Sequence, residues 1–198
     1  MSADATQGAP RGRPPSTSRE SVERTALAMF ASRGFEQTTV EEIAAELGVG
    51  RRTVFRYFPS KNDIVWGDFD RVLHRLRDEL DGQGEEVSVM EALAAAAVAS
   101  NSYPAEQLPE LRTRMTLITT VPALQAHSAL RYADWRGVVA DYVARRRGER
   151  PGDLVPQTVA FAALGASMAA FSVWVADGGD LEACLRGAYA ALGAGFRG

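Results

Sequence analysis

The stretch GVGRRTVFRYFPSKND, residues 48–63, places three arginines and a lysine among aromatic side chains, in a chain of 198 residues with a formal net charge of −3. Glycines precede its arginines and a proline follows its aromatics, which predicts a short helix from Arg51 to Phe58. Val54 and Phe58 lie four residues apart and share the apolar side of that helix. Its other faces carry groups that suit base edges, thymine methyls and phosphates.

The segment before this helix predicts a helix-turn-helix. Thr39 and Glu42 form a capping box that opens a helix of about two turns, which ends at Gly48. Two short helices joined by a glycine-containing turn are the pattern of this motif, with the second as recognition helix. A first helix is expected from a capping box at Thr17 to a glycine stop at Gly34.

The recognition helix predicts the residues that contact DNA. The alternative is a solvated charged helix, but the turn, the caps and the paired arginines occur together, which favours DNA. The expected contacts are Arg51, Arg52, Thr53, Phe55, Arg56 and Tyr57.

Residues 1–16 are predicted to form a flexible basic arm, because their Pro, Gly, Ser and Thr content cannot support a core. They lack the apolar region of a signal peptide. Arg11 and Arg13 lie in an R-G-R-P segment that is narrow enough to enter an A·T minor groove. A solvated tail is the alternative.

Composition predicts an all-α globular protein. Apolar residues recur at helical spacing through most of the chain, and alternating β-branched runs are scarce. Lys and Arg outnumber Asp and Glu nine to seven in residues 1–61, whereas acids lead eighteen to thirteen in residues 62–198. A basic N-terminal part on an acidic body is typical of a nucleic-acid reader.

No catalytic constellation is apparent, so we expect no enzyme and no cofactor. One cysteine and two histidines give neither a metal cluster nor a Ser/His/Asp set. The single Cys184 favours a reducing cytoplasm, where it would be a buried structural thiol.

About nine helices are expected. A fourth helix, capped by Ser60, is predicted to run to about Leu80, and the others to follow as residues 88–100, 104–121, 122–147, 154–176 and a last helix. The chain divides into the arm, a helix-turn-helix domain at 17–62, and a ligand-binding and dimerisation domain at 63–198.

Residues 17–65 resemble the DNA-binding head of the TetR family of bacterial one-component regulators, above all in TTVEEIAAELGVGRRTVFRYFPSKNDIV, residues 38–65. The resemblance implies phosphate contacts by Thr39, Tyr57 and Lys61. It also implies a homodimeric repressor that binds a palindromic double-stranded operator and is released by a small effector. Gly50 departs from the pattern, because the family commonly has a capping residue there.

A subgroup resemblance extends into the second domain. FRYFPSKNDIVWGDFD and TLITTVPALQAHSALRYADWRGVVADYVARRRG, residues 55–70 and 116–148, are similar to TetR regulators linked to the redox cofactor mycofactocin. The resemblance implies an effector that is a small apolar or acyl-CoA-like molecule.

An apolar stripe on the sixth and seventh helices predicts the effector site. Arg131 lies within the stripe, so it either binds an anionic group of the effector or is paired with an acid such as Asp134. His127 lies beside it and is expected to be packed rather than metal-bound. The predicted ligand-binding residues are Arg112, Met115, Ile118, Arg131 and Trp135.

The run ARRRGER, residues 144–150, is the strongest basic cluster outside the head. At a helix C-terminus it offsets the helix dipole, which is the structural interpretation. A phosphate-bearing effector is the alternative.

Residues 154–176 carry no charge and are long enough to cross a bilayer. A membrane-associated or protein-interaction helical module is therefore the alternative function. Small residues dominate the segment, however, which favours close helix packing in a dimer that this helix and the last one would form. The predicted interface residues are Ala162, Gly165, Ala166, Ala169, Leu181, Leu185, Ala188 and Leu192.

Overall fold

The structure is a computed structural model that describes residues 17–195. Within that range it is all-α, as predicted, with ten α-helices, one 3-10 turn at Ala105–Gln107, and no strand. The helices are α1 (Arg19–Arg33), α2 (Val40–Glu46), α3 (Arg51–Tyr57), α4 (Lys61–Trp66), α5 (Phe69–Asp81), α6 (Val89–Ser100), α7 (Leu108–Thr120), α8 (Pro122–Arg147), α9 (Leu154–Asp177) and α10 (Leu181–Gly193).

The first four helices form the head. α1 packs against α2 and α4, and α2 packs against α3. Phe30 of α1 and Ile43 of α2 are fully buried, together with Val54 and Phe58. The predicted apolar side of the recognition helix is thereby confirmed, since these two side chains fix α3 to its scaffold.

The caps of the head agree with the sequence at three of its four helices, since Ser60 caps α4 as predicted. Thr39 and Glu42 form the predicted capping box at α2, and Gly50 caps α3 with no side-chain hydrogen bond. The cap of α1 was predicted at Thr17 and is instead Ser18, whose hydroxyl accepts a 3.1 Å hydrogen bond from the N–H of Ser21.

The single helix predicted from Ser60 to about Leu80 is wrong, because it is two helices. Gly67 ends α4 with a φ of 60°. Residues that carry a side chain disfavour this angle. Asp68 then caps α5 by accepting from the N–H of Arg71 at 3.3 Å. This break gives ten helices instead of nine and turns α4 into a short link between head and body.

The remaining helices form the body. α9 packs against α8 and α10, and α6 packs against α5 and α10. α7 lies beside α8 and α9 and also contacts α1 and α4 of the head. α7 is therefore the body helix that touches the head most broadly.

The hydrophobic core continues from head to body without interruption. Ile64, Val65 and Trp66 of α4 belong to the same buried cluster as Leu27 of α1 and Val139 of α8. The domain boundary proposed after residue 62 falls inside α4, so this helix is shared by both parts.

α9 is the one helix in residues 17–195 that is long and apolar enough to cross a membrane, with a mean hydropathy of 1.9. Length and composition alone are weak evidence, because core helices meet the same criterion. Only 28% of the most apolar window is buried inside the chain, so much of this helix presents an apolar face outward. The large exposed apolar side chains on it are Leu154, Val155, Phe161, Met168 and Val173.

The break at Gly67 predicts a specific destabilisation. A Cβ there would lie 2.5 Å from Nη1 of Arg114 and 2.7 Å from Oε2 of Glu23, in addition to the strained φ. We expect Gly67→Ala to lower the free energy of unfolding by about 1–3 kcal/mol, measured by urea denaturation at fixed protein concentration. Gly137→Ala in the middle of α8 is the control, since a Cβ there meets nothing within 4 Å. It should raise the free energy of unfolding by about 0.5–1 kcal/mol, and equal effects of the two substitutions would contradict the prediction.

Candidate DNA-binding surface and effector cavity

The outer side of α3 is a basic surface. Arg51, Arg52 and Arg56 are exposed and Thr53 is half-buried, while Phe55 keeps 41% of its surface accessible. All of these except Arg51 line one shallow depression. The fold thus brings the residues predicted to read bases onto one side of one helix.

The position of Arg51 is set by a neighbour on α2. Its Nη1 donates to Oε1 of Glu41 at 2.7 Å, and its guanidinium lies 5.9 Å from the centroid of the Phe55 ring. The hydrogen bond from Arg51 holds the pKa of the Glu41 carboxyl below its ordinary value. Both partners are exposed, so this pair is weak and can exchange for a contact with DNA.

Two of the predicted phosphate contacts are anchored inside the head. The hydroxyl of Tyr57 donates to the carbonyl of Thr17. Nζ of Lys61 donates to the carbonyls of Phe35 at 2.8 Å and Thr38 at 3.2 Å. An ammonium has three N–H donors, so Lys61 keeps one for a phosphate, whereas Tyr57 would have to give up its internal bond.

The third predicted phosphate contact, Thr39, is exposed at the start of α2. Its hydroxyl donates to Oε2 of Glu42 at 2.9 Å and accepts from the N–H of Glu42 at 3.2 Å. Arg11 and Arg13 lie outside the described residues.

Arg19 is a residue that sequence reasoning missed. Its Nη2 donates to the carbonyl of Tyr57 at 2.9 Å, and its guanidinium lies 4.6 Å from the centroid of the Phe58 ring. It therefore ties the start of α1 to the end of the recognition helix. The sequence shows only an exposed arginine in the first helical turn, which is no signal for this contact.

A partly open cavity lies in the body between α4, α5, α7, α8 and α9. Its volume is about 130 Å³, close to that of engineered apolar cavities that bind benzene. Three of the five predicted ligand-binding residues line it, namely Met115, Ile118 and Trp135. The stripe on α7 and α8 therefore does face a space for a small molecule.

The two arginines predicted for the effector do not line this cavity. The guanidinium of Arg112 lies over the ring of Trp174, 4.6 Å from its centroid. Arg131 donates from Nη2 to Oδ1 of Asp63 at 2.8 Å. The alternative of an acid-paired Arg131 is thus the one that the structure supports, with Asp63 as the acid instead of Asp134.

Most polar or aromatic residues of the cavity wall were missed by sequence reasoning, among them Trp66, Asn101, Tyr103 and Arg114. Trp66 belongs to α4, which was predicted as part of a longer helix. Asn101 and Tyr103 lie in the connection after α6. Arg114 lies on α7 next to Met115 but was not among the predicted residues. A loop residue carries no periodicity, so the sequence had no signal that would place it at the cavity.

Asp63 is a buried carboxylate at the contact between head and body. Its carboxylate accepts a hydrogen bond from the hydroxyl of Ser60 at 2.6 Å and another from Arg131. It also makes a hydrogen bond of 3.1 Å with Nε2 of His127. Burial opposes its ionisation, but the hydrogen bonds from Ser60 and Arg131 and the nearby charges outweigh it, so the pKa of Asp63 lies below its ordinary value. His127 is accordingly packed against an acid.

Arg114 makes a second polar connection between body and head. From α7 it donates to the carbonyl of Val65 in α4 and to carboxylates of Glu23 at 3.1 Å and Glu110 at 3.3 Å. Burial raises the pKa of Glu23 above its ordinary value despite the nearby guanidinium of Arg114. Both connections start from helices that also form the cavity wall.

The basic run at the end of α8 is engaged by polar groups of the same chain. Arg146 donates to the carbonyls of Gly84, Glu85 and Val87, which fixes the connection between α5 and α6. The other arginines of the run form the ion pairs Arg145–Asp81, Arg147–Glu149 and Arg150–Asp153.

The predicted interface residues divide into two groups. On α9, Gly165 and Ala169 are exposed, and Ala162 and Ala166 are half-buried, as are Ala188 and Leu192 on α10. Leu181 and Leu185 are buried inside the chain with Ala170 and Trp174. Their assignment to an interface is wrong, because the helical repeat on α10 that they define faces α9 of the same chain.

Both parts of the chain match known protein families. Residues 24–65 match the family described as bacterial regulatory proteins, tetR family, and residues 87–197 match the MftR C-terminal domain. The chain is 40% identical over 186 residues to a Mycobacterium tuberculosis protein named as mycofactocin biosynthesis transcriptional regulator MftR, covering 93% of this chain and 94% of that protein.

Solved structures share the fold. FadR from Thermus thermophilus, a TetR family transcriptional repressor in complex with lauroyl-CoA, is 21% identical with a TM-score of 0.56, over 88% of this chain and 93% of that one. FadR from Bacillus subtilis in complex with stearoyl-CoA is 17% identical with a TM-score of 0.62, over 88% of this chain and 97% of that one.

The head and its basic helix, set on a helical body with a cavity, define a helix-turn-helix transcriptional regulator and not an enzyme. The chain belongs to the TetR family, and its C-terminal domain is of the MftR type.

Proposed function

We propose that this TetR-family regulator is a repressor that binds a palindromic operator as a homodimer and is released by a small-molecule effector. The observation that carries the proposal is α3, on which three exposed arginines and Phe55 project from a helix fixed by buried Val54 and Phe58. A helix with such a face fits the major groove, where arginine recognises guanine. A protein of this kind acts on the chromosome, so we place it in the cytoplasm.

Contacts with the DNA backbone complete the proposed interface. Thr39 at the start of α2, Tyr57 at the end of the recognition helix and Lys61 at the start of α4 would position that helix through phosphates. Arg11 and Arg13 of the arm are proposed to contact the adjacent minor groove. Phosphate contacts set affinity and its dependence on salt, whereas the α3 arginines set sequence preference.

The exposed apolar face of α9 supports a dimer. Phe161, Met168 and Val173 are exposed around Gly165 and Ala169 on this helix. Small residues let two helices approach closely, and a two-fold pair of α9 and α10 would cover the face. Burial in a dimer explains a row of large apolar side chains that water would otherwise surround.

The cavity supports an effector with an apolar part, and an acyl-CoA is our candidate. The volume of about 130 Å³ suits a single ring or the end of an acyl chain, so a longer chain would have to separate α7, α8 and α9. The nucleotide part would stay outside. Displacement of α7 and α8 would pull on Arg114 and Arg131, which hold the head, and so change the distance between the two heads of a dimer.

Loss of the α3 arginines tests the DNA interface. We expect Arg52→Ala with Arg56→Ala to remove about 1–3 kcal/mol of binding free energy for each base contact and to abolish specific binding. The operator is first selected from a random DNA pool, and binding is then measured by fluorescence anisotropy at physiological salt. Arg77→Ala with Arg147→Ala removes the same charge from exposed positions of the body and should leave the preference for the operator intact. Retained specificity in the α3 variant would refute the recognition-helix assignment.

A single glycine tests the dimer face. A Cβ at Gly165 meets nothing within 4 Å, so Gly165→Glu fits the isolated chain and improves its helix propensity. We expect this variant to sediment as a monomer, because a buried glutamate in the interface lacks a partner. Gly137→Glu, equally unobstructed on α8, should sediment like the unmodified protein. A Gly165→Glu variant that remains dimeric would place the interface elsewhere.

Lauroyl-CoA tests the effector class. We expect saturating lauroyl-CoA to weaken operator binding by about 5–150-fold, the usual range of coupling between two sites, while CoA without an acyl chain has no effect. The titration follows operator affinity by anisotropy. Unchanged affinity across the titration would contradict an acyl-CoA effector and leave the DNA interface unaffected.

A further inference from the structure

One residue of the cavity wall and one residue that contacts the wall each carry a buried nitrogen without a partner. Among the residues that the structure describes, the buried side-chain nitrogen and oxygen atoms without a hydrogen-bond partner are Nε1 of Trp66 and Nε of Arg75. Trp66 lines the cavity, and Arg75 contacts Tyr103, which also lines it. Buried donors are nearly always paired in native proteins, so the unpartnered indole of Trp66 in the cavity wall points to a ligand.

Trp66 is held firmly in this position. It is only 7% exposed, and its ring packs edge-on against Phe69 and Tyr132 with centroid distances of 5.0 and 5.6 Å. A buried indole N–H normally finds an acceptor, as in Trp174, which donates to the carbonyl of Gly179 at 3.2 Å. The indole of Trp66 is therefore a fixed donor without a protein acceptor.

Arg75 and Tyr103 add positive potential beside the cavity. Nη2 of Arg75 donates to the hydroxyl oxygen of Tyr103 at 3.1 Å, and its guanidinium lies 5.1 Å from the centroid of that ring. Within residues 17–195, Arg75 has no carboxylate at ion-pair distance. Because the Tyr103 oxygen accepts from Arg75, its own proton is free to be donated. Both features favour a ligand atom that accepts hydrogen bonds.

Apolar side chains such as Met115, Ile118, Leu164 and Phe171 make up much of the remaining wall. Arg114, the one charged residue of the described lining, is already paired with Glu23 and with Glu110. The cavity thus combines an apolar interior with donors at Trp66 and Tyr103.

We propose that Trp66 anchors the effector, and that its indole N–H donates a hydrogen bond to a carbonyl oxygen of a molecule whose apolar part fills the cavity. This assignment rests on the proposed function in one respect, namely that the cavity holds the effector. Trp66 is the last residue of α4, so a ligand bound to it contacts the link between head and body directly.

A pair of small probes tests the hydrogen bond. Acetophenone and ethylbenzene have similar shapes and differ in a carbonyl against a methylene, and both match a ring-sized cavity. Dissociation constants are measured by NMR titration for the unmodified protein and for Trp66→Phe, which keeps an aromatic ring and removes the N–H. The preference for acetophenone over ethylbenzene, measured as the ratio of their dissociation constants, should fall about tenfold in Trp66→Phe. This is the effect of one lost hydrogen bond to a buried donor.

The control is Trp174→Phe. Trp174 is not among the residues that line the cavity, and its nitrogen already donates to the carbonyl of Gly179, so the ratio should stay that of the unmodified protein. A second measurement covers the case in which Trp66→Phe does not fold. In the unmodified protein, which has three tryptophans, the indole N–H resonance of Trp66 should move downfield with acetophenone and not with ethylbenzene. The resonances of Trp135 and Trp174 are assigned from their Phe variants.

Equal ratios in the unmodified protein and Trp66→Phe, or a Trp66 resonance that responds alike to both probes, would overturn the proposal. Failure of either probe to bind the unmodified protein would overturn it as well. None of these results depends on operator binding or on its weakening by lauroyl-CoA. Failure of the proposed hydrogen bond from Trp66 is therefore distinguishable from failure of the proposed function.

Discussion

The buried carboxylate of Asp63 is the contact on which the arrangement of head and body depends. A charge removed from water must be paired, and removal of one partner from such a pair is costly. Asp63 caps the start of α4 together with Ser60 and accepts from Arg131 of α8. The same carboxylate therefore stabilises the start of the helix that follows the recognition helix and fixes that helix to the body.

Arg114 provides a second polar connection between head and body, from another body helix. α7 reaches the end of α4 through the carbonyl of Val65 and reaches α1 through Glu23. α4 is thus held near both ends by body helices that line the cavity. With a continuous apolar core around these polar contacts, a displacement of the cavity wall is transmitted to the head as a shift of packed helices, because packed cores do not deform smoothly.

Most of the head could be predicted from the sequence, since its signals are local. The helix-turn-helix follows from three signals that lie within a few residues of each other. They are the capping box at Thr39, the glycine turn, and the spacing of Val54 and Phe58. The effector site could be predicted only in part. Met115, Ile118 and Trp135 follow helical periodicity, whereas Tyr103 reaches the cavity from a loop, and nothing in the local pattern marks such a residue.

The sequence by itself determined the all-α class, the recognition helix with its exposed arginines, and the apolar faces of the long helices, because periodicity, caps and turn residues act over a few positions. The tertiary structure decided the partners of the charged groups, which are Asp63 for Arg131 and Trp174 for Arg112. It also decided that Leu185 is buried against the chain's own α9. A pattern shows that a charge on an apolar face needs compensation, but the compensating atom lies on another helix. Only the packing of helices far apart in sequence selects it.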